Sequence, residues 1–135
     1  MLRTVVAVLI CAALMFSVPA FAVDGVVLIN QSTVMAAGGF PYKITQSGSY
    51  KLSGNLVVAA SYTDGIDIMA NNVSIDLNGF TISGPVTCSG GGSSIHCVGN
   101  GGYGISGGFP APNNIAARNG SVVGFSNGIV LQGGG

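Results

Sequence analysis

The chain has 135 residues, 23 of them Gly, and its four Lys or Arg residues balance four Asp residues, so the formal net charge is zero. A protein that binds nucleic acid through phosphate contacts needs a basic face, and a charged disordered tail needs a run of like charges, so both classes are excluded. A composition with few Lys and Arg and no Glu is also poor in strong helix formers. It indicates β-structure with many turns.

The first 22 residues have the pattern of a secretory signal peptide. Arg3 supplies a short basic region, Val5–Phe16 is an uninterrupted apolar run, and Ala20-Phe21-Ala22 is a small-x-small cleavage site. A transmembrane anchor is the alternative, but this run is shorter than the ~20 residues that cross a bilayer. We therefore expect residues 1–22 to be removed on export. The mature chain is then secreted or periplasmic and has no membrane span.

An internal repeat follows, and it has two kinds of marker. The first marker is a Gly-Ile pair, which occurs at Gly65-Ile66, Gly104-Ile105 and Gly128-Ile129. The second is Asn-Asn, then alternating residues, then Asn-Gly, at residues 71–79 and 113–120. The first Gly-Ile interval is the longer one, and most of its surplus lies between Gly84 and Gly102. We interpret residues 85–102 as a loop that projects from an otherwise regular coil.

The residues within each unit alternate between apolar and polar, which predicts short strands instead of helices. A repeat of about 24 residues with three short strands cannot bury its apolar face alone, but stacked parallel coils can. The sequence therefore predicts an all-β solenoid of about three coils over residues 48–135. Residues 23–47 precede it as a capping segment, with a strand at 26–29 and a short helix at 31–37. An antiparallel sandwich, in which each Asn-Gly forms a hairpin turn, is the competing interpretation.

The two Asn-Gly pairs are predicted to form equivalent corners of successive coils. Gly79 and Gly120 would supply the positive φ angle that a tight corner needs. Asn78 and Asn119 would stack, and each side-chain amide would hydrogen-bond the next along the solenoid.

Two cysteines, Cys88 and Cys97, remain once the signal peptide with Cys11 is removed. In an oxidising compartment we expect them to form a disulfide that ties the base of the projecting loop. Free thiols are one alternative, and a metal site that includes His96 is another. The metal site is disfavoured because His96 and Cys97 are adjacent and no fourth ligand is nearby.

Two segments, Gly48–Leu56 and Asn72–Gly84, resemble the right-handed parallel β-helix repeat family, the pectate-lyase-like solenoids. The resemblance covers about residues 24 to 133, and the stretch DLNGFTISG from Asp76 to Gly84 is its most specific part. It implies a right-handed parallel β-helix and no particular activity, because the family includes lyases, hydrolases, epimerases, adhesins and exported bacterial members without assigned function. The chain is most similar to the last group. Family solenoids have more coils, so we expect this sequence to be part of a longer protein.

Residues that could carry catalysis are few and separated. Polysaccharide lyases of this family use an Asp cluster that binds calcium together with an Arg or Lys base. Here Asp64 is interpreted as a turn residue, and Asp67 and Asp76 as outward strand residues, with Asp67 stacked over Ser106 and Asp76 near Arg118. We expect no metal, no cofactor and no catalysis in this chain.

Tyr62 and Tyr103 lie in predicted turns or loops and are the candidate ligand-contacting residues, because exposed aromatic rings can stack on sugars. The leading interpretation is an exported module, structural or bound to polysaccharide or another cell-surface component. The alternative is the N-terminal part of a polysaccharide lyase or glycoside hydrolase whose catalytic coils lie beyond residue 135. An Asp cluster with Arg, Lys or His in later coils would distinguish the two.

Overall fold

The structure is a computed structural model that describes residues 25–131. The predicted signal peptide lies outside this range. Its elements, in chain order, are β1 (Val27–Ile29), α1 (Gln31–Ala36), β2 (Tyr42–Ile44), β3 (Gly48–Leu52), β4 (Leu56–Val57), β5 (Ile66–Ile68), β6 (Val73–Asp76), β7 (Thr81–Ser83), β8 (Thr87–Gly91), β9 (Ser94–Val98), β10 (Tyr103–Gly107), β11 (Ile115–Arg118), β12 (Ser121–Val123) and β13 (Asn127–Val130). Over residues 25–131 no helix is long and apolar enough to cross a membrane.

Eleven of the thirteen described strands form three parallel sheets. Sheet 1 has the order β1-β3-β6-β11, sheet 2 has β13-β10-β5-β2, and sheet 3 has β12-β7-β4. From β3 onward the chain visits sheet 1, sheet 3 and sheet 2 in turn, and it repeats this circuit until β13. The prediction of an all-β chain with stacked parallel strands is confirmed. The antiparallel sandwich is wrong, because among the described strands only β8 and β9 pair in antiparallel fashion.

The predicted register between coils is also confirmed. Ile105 pairs with Ile66 on one side and with Ile129 on the other, so the three Gly-Ile markers are stacked in sheet 2. In sheet 1, Arg118 pairs with Asp76 as expected. The spacing of the markers therefore reports the true coil length.

The glycines of the Gly-Ile markers allow a close approach between sheets. A Cβ on Gly65 would meet the Ile82 side chain of sheet 3 and the backbone oxygen of Gly104 in the next coil. A Cβ on Gly104 would likewise meet Val122 and the Gly128 oxygen. Glycine is needed at these positions because the backbone at the start of these sheet 2 strands lies in contact with a sheet 3 side chain that points into the core.

The core is a column of apolar side chains that the three sheets send inward. Five of the seven residues that the alternation predicts to be inside are buried, namely Val73, Ile75, Leu77, Ile82 and Ile105. Phe80 and Ile115, the other two, are partly buried and pack against the column. Asp67 and Asp76 lie on the outer faces and are half-buried, whereas Arg118 is exposed.

The N-terminal end of the column is closed by α1. Asn30 caps this helix, because its side chain accepts a hydrogen bond from the Thr33 N–H (3.0 Å) while the Thr33 hydroxyl accepts one from the Asn30 N–H (2.9 Å). Val34 of α1 is fully buried over the column. The predicted strand and helix are present to within one residue. The described part of the predicted capping segment, residues 25–47, does more than cap, however, because β1 pairs with β3 and β2 with β5.

The Asn-Gly corners differ from the expectation. Asn78, Gly79 and Asn119 have the positive φ angles of 52°, 81° and 60°, but Gly120 does not have one. Gly120 is glycine for another reason, since a Cβ there would collide with the Leu77 side chain. The two corners are not equivalent, because the later coil joins its sheet 1 and sheet 3 strands by a shorter connection.

The predicted hydrogen bonds between Asn78 and Asn119 are absent for the same reason. The Asn78 amide donates to the Leu52 carbonyl (3.1 Å), and the Asn119 amide donates to an Asp76 carboxylate oxygen (3.2 Å). An asparagine ladder does exist one corner earlier, where the Asn114 amide donates to the Asn72 side-chain oxygen (2.8 Å).

Candidate ligand-binding corner

The connections from sheet 3 to sheet 2 are the part of the coil that varies most. They comprise residues 58–65, 84–102 and 124–126. We call the first two together the insertion corner. Both candidate tyrosines border it or lie in it, since Tyr62 belongs to the first connection and Tyr103 directly follows the second.

The longer connection contains a β-hairpin where the sequence predicted a loop. Strands β8 and β9 pair with Cys88 opposite Cys97, and these two cysteines form a disulfide. The predicted disulfide is confirmed, so the alternatives of free thiols and of a metal site with His96 are wrong. Every residue of β8 and β9 is exposed. The hairpin therefore projects from the three parallel sheets and contributes no buried side chain to the core.

Two backbone hydrogen bonds hold the two connections side by side. The Tyr62 N–H donates to the Asn100 carbonyl (2.9 Å), and the Gly65 N–H donates to the Tyr103 carbonyl (2.9 Å). Asn100 lies two residues after Val98, the last residue of β9. Tyr62 is thus fixed beside the base of the hairpin.

Tyr62 has an unusual backbone and an exposed ring. Its φ angle is 56°, and the other non-glycine residues with positive φ in residues 25–131 are all asparagines. A bulky residue in the left-handed region is strained, and such strain is concentrated at functional sites. The Tyr62 side chain is 76% exposed. Tyr103 differs from the prediction, because it begins β10 and is half-buried.

Asp64 joins the first connection of this corner to β10 through its side chain, so it is not a simple turn residue. One of its carboxylate oxygens accepts from the Tyr103 N–H (2.7 Å) and the other from the Ser106 hydroxyl (2.9 Å). Ser106 is only 6% exposed although it lies on the outer side of sheet 2. No local sequence pattern indicates this contact, because Asp64 and Ser106 are 42 residues apart.

The other acidic residues have separate surroundings. An Asp76 oxygen accepts from the Asn78 N–H (2.9 Å), and this bond is the main reason why the pKa of Asp76 is lowered. Desolvation opposes this effect and raises the pKa of Asp76, while the Asn119 amide and the charges of Arg118 and Lys51 lower it further. Asp67 lies between Lys43 and Ser106 in the register of sheet 2. Within residues 25–131 no three His, Cys, Asp or Glu side chains converge as a metal site would require.

The surface of the insertion corner is almost uncharged. Asp64 is its single Asp, and neither Glu, Lys nor Arg occurs in residues 58–65 or 84–102. Both oxygens of Asp64 are already hydrogen-bonded. What remains for a ligand is hydroxyl and amide groups, the imidazole of His96 and the Tyr62 ring.

No family model, curated protein or solved structure matches this chain. The chemistry of the insertion corner is therefore the basis on which its role is assigned.

Proposed function

We propose that the protein is an exported, right-handed parallel β-helix of the pectate-lyase-like type that binds a neutral polysaccharide through its insertion corner without catalysis. The regular circuit through sheets 1, 3 and 2 supports the fold, since each circuit returns to a parallel neighbouring strand. Crossovers between parallel strands are right-handed in nearly all proteins. The two segments that resemble the family, Gly48–Leu56 and Asn72–Gly84, lie in strands of this circuit and in the corners between them.

The proposal of export rests on two independent features. Residues 1–22 have the pattern of a signal peptide. The Cys88–Cys97 disulfide lies on an exposed hairpin, where a reducing compartment would open it. Both features favour a secreted or periplasmic location.

The strained, exposed Tyr62 is the observation that carries the proposal of binding. Asparagine or glycine would fit its backbone better, so a tyrosine there costs stability that folding alone does not explain. The Tyr62 ring offers a flat apolar face, and sugar rings pack on such faces through their C–H groups. Its position beside the hairpin adds hydroxyl and amide groups that can bond to sugar hydroxyls.

The charge of the insertion corner selects the class of polysaccharide. Pectate, alginate and glycosaminoglycans carry an acidic group on many of their sugars, and a site for them needs Lys or Arg. The insertion corner contains neither. A site of one exposed ring and uncharged polar groups fits a neutral glycan. The repeating sugar units of such a polymer offer many equivalent positions for binding.

The absence of catalysis is proposed from what the carboxylates already do. Glycosidase chemistry needs two carboxyl groups about 5–9.5 Å apart on either side of the scissile bond. Both carboxylate oxygens of Asp64 already accept hydrogen bonds, from the Tyr103 N–H and the Ser106 hydroxyl. An Asp76 oxygen accepts from the Asn78 N–H. Neither group is free to act as an acid or a nucleophile in the arrangement that the fold gives it.

Affinity electrophoresis of the exported protein in gels that contain neutral or acidic polysaccharides tests this proposal. We expect retardation by at least one neutral glycan and loss of retardation in the Tyr62→Asn variant. Asparagine removes the ring but tolerates the φ of 56°, so this variant should fold at least as stably as the parent.

Phe109→Ala is the matched control, because Phe109 is another aromatic residue, 99% exposed, but it lies in the connection from sheet 2 to sheet 1. It should bind as the parent does. Unchanged binding by Tyr62→Asn would refute the site, and retardation only by acidic glycans would refute the ligand class. Release of unsaturated products or new reducing ends would show an enzyme instead.

A further inference from the structure

Four asparagines of this chain directly precede a glycine, namely Asn78, Asn100, Asn119 and Asn127. The side chain of such an asparagine can react with the backbone nitrogen that follows it, because glycine has no Cβ to obstruct the approach. The reaction needs a side chain that is free to turn and a nitrogen that is not held in a hydrogen bond. All four asparagines are exposed, so their hydrogen bonds and backbone angles decide which of them reacts.

Asn78 and Asn119 are both held by hydrogen bonds. The Asn78 amide donates to the Leu52 carbonyl (3.1 Å), and the Gly79 N–H donates to the Asn119 carbonyl (2.6 Å). The Asn119 amide donates to an Asp76 oxygen (3.2 Å). Both asparagines also have positive φ angles, of 52° and 60°, which asparagine tolerates better than most residues. The backbone therefore gives both positions a structural reason to be asparagine.

Asn127 is held by a sheet. It lies with Gly128 in β13, which pairs with β10. The Ser126 N–H donates to the Gly102 carbonyl (3.1 Å), and alternate residues of a parallel strand face the same neighbour. The Gly128 N–H is therefore also directed at β10, away from the Asn127 side chain.

Asn100 has none of these constraints. Its φ angle is not positive, and within residues 25–131 neither its side-chain amide nor the Gly101 N–H has a hydrogen-bond partner. Only its backbone carbonyl is used, as the acceptor of the Tyr62 N–H (2.9 Å), and any residue could supply that group. The described contacts therefore do not require asparagine at position 100.

Gly101, in contrast, is required by packing. A Cβ on Gly101 would meet backbone atoms of Phe125 at 2.8 Å and of Ser126 at 2.9 Å. The Ser126 hydroxyl also donates to the Gly101 carbonyl (2.6 Å). Because position 101 must be glycine, the residue at position 100 decides whether this pair is reactive.

We propose that Asn100 is a site of spontaneous deamidation, which converts faster in the folded protein than the other three Asn-Gly pairs do. The Gly101 nitrogen attacks Cγ of Asn100 and forms a new C–N bond. The bond from Cγ to the amide nitrogen breaks, and ammonia leaves with the proton of the Gly101 N–H. Water then opens the resulting succinimide at either carbonyl. One product is aspartate, and the other is isoaspartate, in which the main chain runs through Cβ and Cγ.

Both products change the insertion corner. Each adds a carboxylate to a segment in which Asp64 is the single Asp. In isoaspartate the main chain is longer by one carbon atom, and the carbonyl that accepts the Tyr62 N–H becomes part of the free carboxylate. The inference does not depend on the proposed sugar binding, because it concerns a reaction of the chain with water.

Incubation of the exported protein in mildly alkaline buffer made with ¹⁸O-labelled water tests the proposal. Peptic digestion in ordinary acidic water and mass spectrometry then give the labelled fraction at each Asn-Gly pair, because only conversion during the incubation introduces label. We expect Asn100 to convert at least about tenfold faster than Asn78 or Asn127, whose reaction requires local opening. Fragmentation spectra should show both aspartate and isoaspartate at position 100.

The same incubation of the reduced protein in concentrated urea is the control for sequence effects. There all four pairs should convert at similar rates, because no hydrogen bonds distinguish them. Asn100→Gln is the matched variant, since glutamine keeps the amide but forms the larger ring slowly. It should abolish conversion at position 100 and leave the rates at the other three pairs unchanged. The proposal is overturned if Asn100 converts no faster than Asn78 in the folded protein, or if its advantage persists in urea.

Discussion

The side-chain amide of Gln31 takes the place of a missing strand beside Val57. Its nitrogen donates to the Val57 carbonyl (3.2 Å), and its oxygen accepts from the Val57 N–H (2.9 Å). These are the two bonds that a parallel neighbour would supply to that residue. An exposed strand edge invites pairing with another chain, so this contact protects the N-terminal end of sheet 3 from addition of further strands.

Replacing Gln31 should therefore destabilise the protein modestly. Gln31→Ala removes two hydrogen bonds that water can partly replace, because Val57 lies at the surface, and we expect a loss of about 0.5–1.5 kcal/mol in the free energy of unfolding. Met35→Ala on the same helix is the control, since Met35 is exposed and alanine favours helices. Urea unfolding measures both variants. Equal stability of Gln31→Ala and the parent would show that the edge needs no cap.

Asp64 should matter for stability far more than its position in a turn suggests. Asp64→Ala leaves the Tyr103 N–H without its acceptor and leaves the nearly buried Ser106 hydroxyl with only its longer bond to the Ile66 carbonyl (3.4 Å), which should cost about 1–3 kcal/mol. Asp67→Ala, on the outer face of β5, should change stability by no more than about 0.5 kcal/mol. The free energies of unfolding in urea decide between them. A similar, small loss for both would restore the interpretation of Asp64 as a simple turn residue.

The fold could be predicted from the sequence because its signals are local and repeated. Alternation over three to five residues fixes which side chains point inward, as in Val73 and Ile75, and the same alternation recurs in each coil. The markers at Gly65 and Gly104 recur because a Cβ at either glycine would meet the same obstacle, a sheet 3 side chain and a backbone oxygen of the next marker. Stacking turns this local pattern into a register, so Ile66, Ile105 and Ile129 could be aligned before the structure was known.

The corner could not be predicted in the same way, because its contacts join residues that differ from coil to coil. The bond from Ser106 to Asp64 has no counterpart in another repeat. The Asn78 and Asn119 corners have equal sequences but connections of different length, so their amides find different acceptors. The positive φ of Tyr62 cannot be predicted from the pattern of apolar and polar residues.

Acid should weaken the protein partly through Asp76. Its pKa is lowered chiefly by the Asn78 N–H, then by the Asn119 amide, Arg118 and Lys51. A carboxyl with a lowered folded pKa contributes stability above its unfolded pKa of about 3.9, and that contribution is lost as the pH falls through the folded value. Asp76→Asn should reduce the loss of stability between about pH 4 and pH 2. Urea midpoints across this range test it, and an identical pH slope in the variant would contradict the assignment.

Reduction of the Cys88–Cys97 disulfide should open the hairpin and leave the three sheets folded. The two strands of the hairpin are exposed throughout and pair only with each other, and an isolated two-stranded hairpin is marginally stable in water. In the chain-entropy account, a bridge that closes so short a loop stabilises the closed form by roughly 2.5 kcal/mol. Without it, the amides of β8 and β9 should exchange freely, while those of the buried Ile66, Ile75 and Ile105 keep their protection.

The variant with both Cys88→Ser and Cys97→Ser should behave like the reduced protein, which separates the effect of the bridge from that of the reductant. Hydrogen exchange read residue by residue distinguishes local opening from global unfolding, because only the latter exposes the core. The Tyr62–Asn100 hydrogen bond lies outside the hairpin strands and should survive in both forms. If the core amides lose protection together with β8 and β9, the hairpin is part of the cooperative unit. The three parallel sheets would then depend on an element that contributes no buried side chain to their core, and the separation of the sheets from the hairpin would be wrong.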